Sequence, residues 1–206
     1  MRIERLERSR HKKGRILLFL EGGELLKATE QELLEFDLRA GRELTEEELS
    51  ALRRSAGVSD AKARAAELIG SRAMSRRDLM RKLREKGATE AEARYAAEWL
   101  EAIGAMDDGA YAAMVVRHYA AMGYGPSRLR DKLYEKGVPR ELWDAALEEA
   151  PPEEEQIDAF LHQKLRGQAP DEREKKRLSD ALVRRGYSWD QVRSAFVRLG
   201  AEIEEE

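Results

Sequence analysis

One frame of leucine and glycine recurs along the chain. Ser75–Gly87 (SRRDLMRKLREKG) places Leu79 and Leu83 four apart on a basic background, with glycine four residues after the second. Gly123–Gly137 (GYGPSRLRDKLYEKG) repeats the frame with Leu129, Leu133 and Gly137, and Glu174–Gly186 (EKKRLSDALVRRG) with Leu178, Leu182 and Gly186. Leucines at i and i+4 share one face of a helix, and a glycine just beyond the last apolar position is a common helix stop. The three glycines are 50 and 49 residues apart, a period that points to stacked repeat units.

Each frame is the middle helix of a predicted three-helix unit. In the first, Ser59 or Asp60 caps an alanine-rich helix to Ile69, Ser75 caps the second, and Thr89 with Glu92 forms a capping box for a third running to Ile103. Ala93, Ala96, Ala97, Trp99, Leu100 and Ile103 give this third helix an apolar stripe. In the second unit Asp107 or Asp108 caps Tyr111–Met122, Pro126 suits a first helical turn, and Pro139 opens a last helix carrying Leu142, Trp143, Ala146 and Leu147. Pro151-Pro152 forces a boundary, after which 153–164, 171–185 and 188–199 form the third unit. Aligned on the glycines, Ala93, Trp143 and Val192 share one position, and Ala97, Leu147 and Phe196 another. Tyr111, Trp143, Phe160 and Phe196 are expected in the core, with Trp99 and Trp189 sealing joints between units.

The first 57 residues differ. Ile3 and Leu6, RILLFL (Arg15–Leu20) and ELLKA (Glu24–Ala28) read as three short strands turned by Gly14 and Gly22-Gly23. So few strands need a covering layer. Two helices follow, one capped by Thr29 with Glu32 and ending before Gly41, the other capped by Thr45 with Glu48 and closed by Gly57. The predicted fold is mainly α: tandem three-helix repeats in an elongated curved array with a small N-terminal β-hairpin or meander. Its divisions are 1–57, repeats at 58–106, 107–150 and 151–200, and a solvated acidic tail at 201–206.

Composition changes this picture chiefly through its distribution. The net charge is −3, so bulk electrostatics gives no case for nucleic acid. Basic residues gather on the middle helices, whereas Thr89–Ile103 and Pro139–Ala150 each carry four acids against one base. The absence of cysteine excludes disulfides and thiolate metal sites. Met1–Gly14 lacks the apolar stretch of a secretory leader, and no apolar run approaches the 18 or so residues of a spanning helix. A soluble, cytoplasmic monomer is expected.

The chain resembles the RecX family, bacterial regulators of the RecA recombinase. The resemblance is carried by Asp107-Asp108, Tyr111, Arg117, the run Gly123–Gly137 and its copy at Ser75–Gly87, and extends from about Ile3 to Leu199. It implies a protein without catalytic chemistry that binds RecA and its DNA filament in the helical groove and suppresses ATPase and strand exchange. The partner-binding candidates are Arg76, Arg77, Arg81, Lys82 and Arg84 on one middle helix, Arg128, Arg130 and Lys132 on the next, and Arg117, which with His118 and Arg128 would form a cationic corner. On the structural alternative these cations pair with the acidic third helices and with neighbours one turn away, while Arg117 caps carbonyls and Tyr124 packs under Pro126. A helix-turn-helix DNA binder is the rival for the whole chain. The third helices of the first two repeats would then be recognition helices, and they are acidic where phosphate demands basic. Only the third repeat, with Arg193 and Arg198 against Asp190, leaves accessory DNA contact open. His11, His118 and His162 form no ligand motif and there is no P-loop, so no cofactor or metal is expected.

Overall fold

The computed structural model describes residues 1–10, 12 and 14–205, with 201–205 described by backbone alone. The chain forms two compact units, Met1–Ala73 with Leu79–Met106, and Met74–Asp78 with Asp107 onward.

In the first unit, β1 (Ile3–Arg8), β2 (Arg15–Leu20) and β3 (Leu25–Thr29) make an antiparallel meander in sequence order. Gly14, Gly22 and Gly23 all adopt positive φ at its turns, which glycine does without strain. The register sets Leu6 opposite Leu18 and Leu18 opposite Leu26. One face is therefore apolar, and Ile3, Ile16, Leu18, Leu20 and Ala28 pack on Leu38, Leu44, Leu49 and Leu52 from the covering layer. That layer is α1 (Glu30–Glu35), the connection that carries Leu38 and Leu44, and α2 (Glu46–Ser71), each helix opened by the expected capping box.

Glu32 does more than cap. Its buried carboxylate accepts hydrogen bonds from the Thr29 amide and hydroxyl at 2.7 and 3.1 Å, and from the Ser55 and Ser59 hydroxyls at 2.9 and 2.7 Å. One acid thus ties the sheet, α1 and α2 together. Arg15, also buried, donates to the Ser59 carbonyl at 2.6 Å and faces Asp60 at 3.6 Å.

The break expected at Gly57 does not occur; α2 runs straight through it and through Ser59 and Asp60. Gly57 is needed for close approach rather than for a stop, because a Cβ there would fall inside the Glu92 carboxylate. Beyond it, α2 packs on α4 (Glu90–Ala102) through small side chains, with Ala56, Ala61 and Ala65 buried on one helix and Ala93, Ala96 and Ala97 on the other. Ile103, expected in the inward stripe, is the C-cap of α4 and is 57% exposed.

The second unit holds α5 (Asp108–Ala121), α6 (Pro126–Glu135), a 3-10 turn at Arg140–Leu142 running into α7 (Trp143–Leu147), α8 (Glu153–Leu165), α9 (Glu172–Arg184) and α10 (Trp189–Glu205). It also contains the first turn of α3 (Arg76–Glu85). Its interior is aliphatic apart from one ring: Val115, Val116, Leu129, Leu133 and Val138 in one cluster, Ile157, Leu161, Leu178, Leu182 and Val192 with the buried Tyr187 in the other. The aromatic core expected at Tyr111, Trp143, Phe160 and Phe196 is corrected to a half-buried border around these clusters. Each large ring keeps an edge at the surface; the Trp143 indole N–H donates to the Val138 carbonyl at 3.1 Å. Trp189 is no seal, being 56% exposed. Trp99 is half-buried, with the Lys62 ammonium 5.4 Å from its ring.

Candidate functional site

The basic helices α3, α6 and α9 end alike. Gly87, Gly137 and Gly186 all have positive φ, and the next amide reaches back to the second leucine of the frame: Ala88 to the Leu83 carbonyl at 3.0 Å, Val138 to Leu133 at 3.0 Å, Tyr187 to Leu182 at 3.3 Å. This is the 6→1 bond of a Schellman cap. It leaves the carbonyl just before each glycine available, and in all three cases that carbonyl accepts from elsewhere. Lys86 receives the Arg64 guanidinium, Lys136 the Ser75 hydroxyl at 2.7 Å, and Arg185 the Gly125 amide at 2.7 Å.

Ser75 and Gly125 are repeat-equivalent, each twelve residues before its glycine and each heading its basic helix. The start of α3 is therefore docked on the end of α6, and the start of α6 on the end of α9. At the α6–α9 joint the approach is close enough to require glycine on both sides, and at the α3–α6 joint on the carbonyl side. A Cβ on Gly125 would lie 2.8 Å from the Gly186 carbonyl carbon, one on Gly186 would lie 2.6 Å from the Arg128 amide nitrogen, and one on Gly137 would lie 2.7 Å from Arg77 Nε. Donors at a helix start facing carbonyls at a helix end also align the two macrodipoles favourably. Asp108 completes the α3–α6 joint by accepting the Arg76 amide at 2.7 Å. Burial raises its carboxyl above the usual range, a shift opposed by that hydrogen bond.

These joints redistribute the nine candidate cations. Arg77 donates to the Tyr134 carbonyl at 2.9 Å and lies over the Tyr134 ring, so it belongs to the joint. Arg128 does the same at the other joint, donating to the Arg184 carbonyl at 3.3 Å while facing Asp131 at 3.4 Å. Arg76 is half-buried. Lys132 is held by Glu135 at 2.7 Å; this hydrogen bond raises the lysine's pKa and lowers that of the glutamate. Arg81 pairs with Glu85 at 2.5 Å and Arg84 with Glu90 of α4 at 2.7 Å, while Lys82 is half-buried. Arg117 pairs with Glu149 at 2.9 Å and does not cap carbonyls, and Tyr124 stacks on Tyr119 rather than packing under Pro126 alone. The cationic corner is thus neutralised at Arg117. Arg130 differs: its guanidinium has neither hydrogen bond nor ion pair among the described residues, and it borders a cleft of about 350 Å³ lined by Tyr124, Leu129, Leu147 and the Pro151-Pro152 turn.

The DNA option in the third repeat also narrows. Arg198 is bound by Asp158 at 2.8 and 3.1 Å and faces Glu154 at 3.6 Å, which leaves Arg193 as the exposed cation of the pair. Among the described residues no cluster of three His, Cys, Asp or Glu could hold a metal, and no helix is long and apolar enough to cross a membrane. His11 lies outside the described residues.

Sequence reasoning missed the Gly125–Gly186 contact. The only trace of it in the sequence is a glycine at a helix start that already has proline at N1 and so needs no positive φ there.

Comparison with known proteins is consistent across methods. The family model for the second three-helix domain of RecX matches residues 107–147, and that for the third matches 152–196. A regulatory protein RecX of Pseudomonas fluorescens is 34% identical over 130 residues, 62% of this chain and 84% of the relative. One from Xanthomonas oryzae pv. oryzae is 34% identical over 134 residues, 64% of this chain and 84% of its own length. Among solved structures, the crystal structure of a regulatory protein RecX covers 100% of this chain and 99% of its own at 25% identity and a TM-score of 0.70. RecX from Lactobacillus salivarius, at 19% identity and a TM-score of 0.61 over 70% of this chain, shares the fold.

Proposed function

We propose, from the fact that this chain belongs to the RecX family of regulatory proteins, that it modulates RecA, binding the recombinase and its DNA filament in the helical groove and lowering ATPase and strand exchange. It does so as a monomer in the cytoplasm and without chemistry of its own; any nucleotide turnover is RecA's. The observation that carries the reading beyond family membership is α6, a helix held at its start by the Gly125 amide on the Arg185 carbonyl and at its end by the Ser75 hydroxyl on the Lys136 carbonyl, which presents Arg130 uncompensated. A cation held on a rigid helix loses little freedom on binding, and it suits a carboxylate-rich protein surface or a phosphate. Contact across neighbouring RecA subunits would obstruct the nucleotide-coupled motion of the filament, with DNA contact accessory.

RecA's DNA-dependent ATPase, measured against rising amounts of this protein, should fall progressively; an unchanged rate at saturation overturns the reading. Arg130→Glu should weaken inhibition by about tenfold with native circular dichroism, since reversing a desolvated interface charge costs at least that much. Lys132→Glu should do less, because its ammonium is already engaged by Glu135. Equal inhibition by wild type and Arg130→Glu would place the contact on another face.

A further inference from the structure

The three repeats allow a comparison internal to the chain. Counted from Gly87, Gly137 and Gly186, the ninth position is a buried alanine in every repeat, Ala96, Ala146 and Ala195. The third helices therefore pack inward through equivalent faces. The opposite face, at the third, seventh and eleventh positions, reads Glu90, Arg94 and Glu98 in the first repeat and Arg140, Asp144 and Glu148 in the second, all charged and all exposed. In the third it reads Trp189, Arg193 and Val197, which are 56%, 78% and 70% exposed. Two repeats show what solvent asks of these positions, and the third replaces two of the three charges with an indole and an isopropyl group.

These side chains stand at i, i+4 and i+8 and form one stripe along α10. Tryptophan and arginine are the residues most enriched among those that dominate binding energy. An exposed helical stripe of such anchors matches the mode in which a helix lies in an apolar groove of a partner. Arg193 is effectively available, because its counter-ion Asp190 stands 3.9 Å away and is itself 92% exposed. An exposed pair of this kind holds its partners only weakly.

Two other occupants fit less well. A second copy would need about 800 Å² per partner, and three side chains of this size expose roughly 400 Å² together. Nucleic acid would need several uncompensated cations to meet phosphate, and this face offers one cation against one neighbouring acid.

We infer that the Trp189–Arg193–Val197 face of α10 is a second contact for the protein partner that the basic helices engage. The indole enters an apolar cleft of that partner, and the Arg193 guanidinium meets a carboxylate at the rim of the cleft. The assignment rests on the RecA-filament reading. Its area makes it an adjunct to a larger interface, which is what a partner already held by α6 provides.

The test writes the first repeat's pattern onto the third. Trp189→Glu with Val197→Glu turns the stripe into Glu-Arg-Glu, as in Glu90–Arg94–Glu98, and touches no buried side chain. Binding of wild type and variant to RecA-coated DNA, binding to the same DNA bare, and mass by sedimentation are measured together, with circular dichroism as the folding control. The expected result is a loss of filament affinity of about thirtyfold, the scale of a hot-spot residue, with bare-DNA binding and mass unchanged. Arg193→Glu, made separately, should lose about tenfold. Filament affinity within twofold of wild type in both variants overturns the α10 contact and leaves the RecA reading standing. A wild-type dimer abolished in the variant, or a loss confined to bare DNA, also overturns it by assigning the face to another occupant. If wild type ignores the filament altogether, the RecA reading falls and this contact falls with it.

Discussion

Alanine at Gly57 and alanine at Gly70 are the same change in the same helix, and they are expected to act in opposite directions. Nothing lies within 4 Å of a Cβ on Gly70, so Gly70→Ala should gain about 0.5 kcal/mol from reduced backbone entropy in the unfolded chain. A Cβ on Gly57 displaces the Glu92 carboxylate, which holds the Thr89 amide at 2.8 Å in the capping box of α4. Losing that cap costs about 1 kcal/mol, so Gly57→Ala should be destabilising despite better helix propensity. Urea unfolding followed by circular dichroism decides both; a stabilised Gly57→Ala would show that Glu92 moves aside freely. The pair also marks what a single residue discloses. A glycine at a helix stop and one at a close approach look identical in sequence, because the difference lies in a residue more than thirty positions away.

At the scale of elements, caps were legible and contacts were not. Thr29, Thr45 and Thr89 each announce a helix through a glutamate three residues on, and all three boxes form, because both partners lie within one turn. The sequence does not disclose that Glu32 is buried and also accepts from Ser55 and Ser59, while Glu48 adds to its cap only the guanidinium of nearby Arg42 at 2.9 Å. The two glutamates should therefore respond differently to the same substitution. Glutamine offers one acceptor oxygen and brings two N–H donors to a site already crowded with donors. Glu32→Gln should cost about 2–3 kcal/mol as buried donors go unpaired, and Glu48→Gln about 1 kcal/mol, the scale of its partly exposed pair with Arg42. Thermal unfolding of the two variants side by side checks the difference; equal midpoints would mean that the buried acid is only a cap. For the candidate site, the basic helices could be read from the sequence, but their ion partners could not. Glu149 lies 32 residues from Arg117, and the Tyr134 carbonyl is 57 residues from Arg77.

Across the whole molecule, charge alternates by helix around a net of −3, so association depends on which cations stay uncompensated rather than on the total. The division into compact units is equally unobvious, since Met74–Asp78 belong with residues beyond 106. Ser75 is fully buried there, bonded to the Lys136 carbonyl at 2.7 Å and to the Asp78 amide at 3.2 Å. Ser75→Ala should therefore loosen a segment sixty residues away. Amide hydrogen exchange is expected to speed up over Lys136–Val138, with sheet amides between Ile16 and Leu20 unchanged; exchange altered only within α3 would show that the joint contributes nothing.

The joints bear on how far the repeats can differ from one another. What couples one repeat to the next is a carbonyl preceding a glycine and a donor at a helix start, and at the α6–α9 joint the donor is itself a backbone amide. There the coupling is written in main-chain atoms and tolerates changes of side chain, provided the glycines stay. The repeats can therefore differ at most other positions, and beyond two leucines, a glycine and one buried alanine they share little. The same latitude accommodates a tryptophan in one repeat where the other two carry a charge.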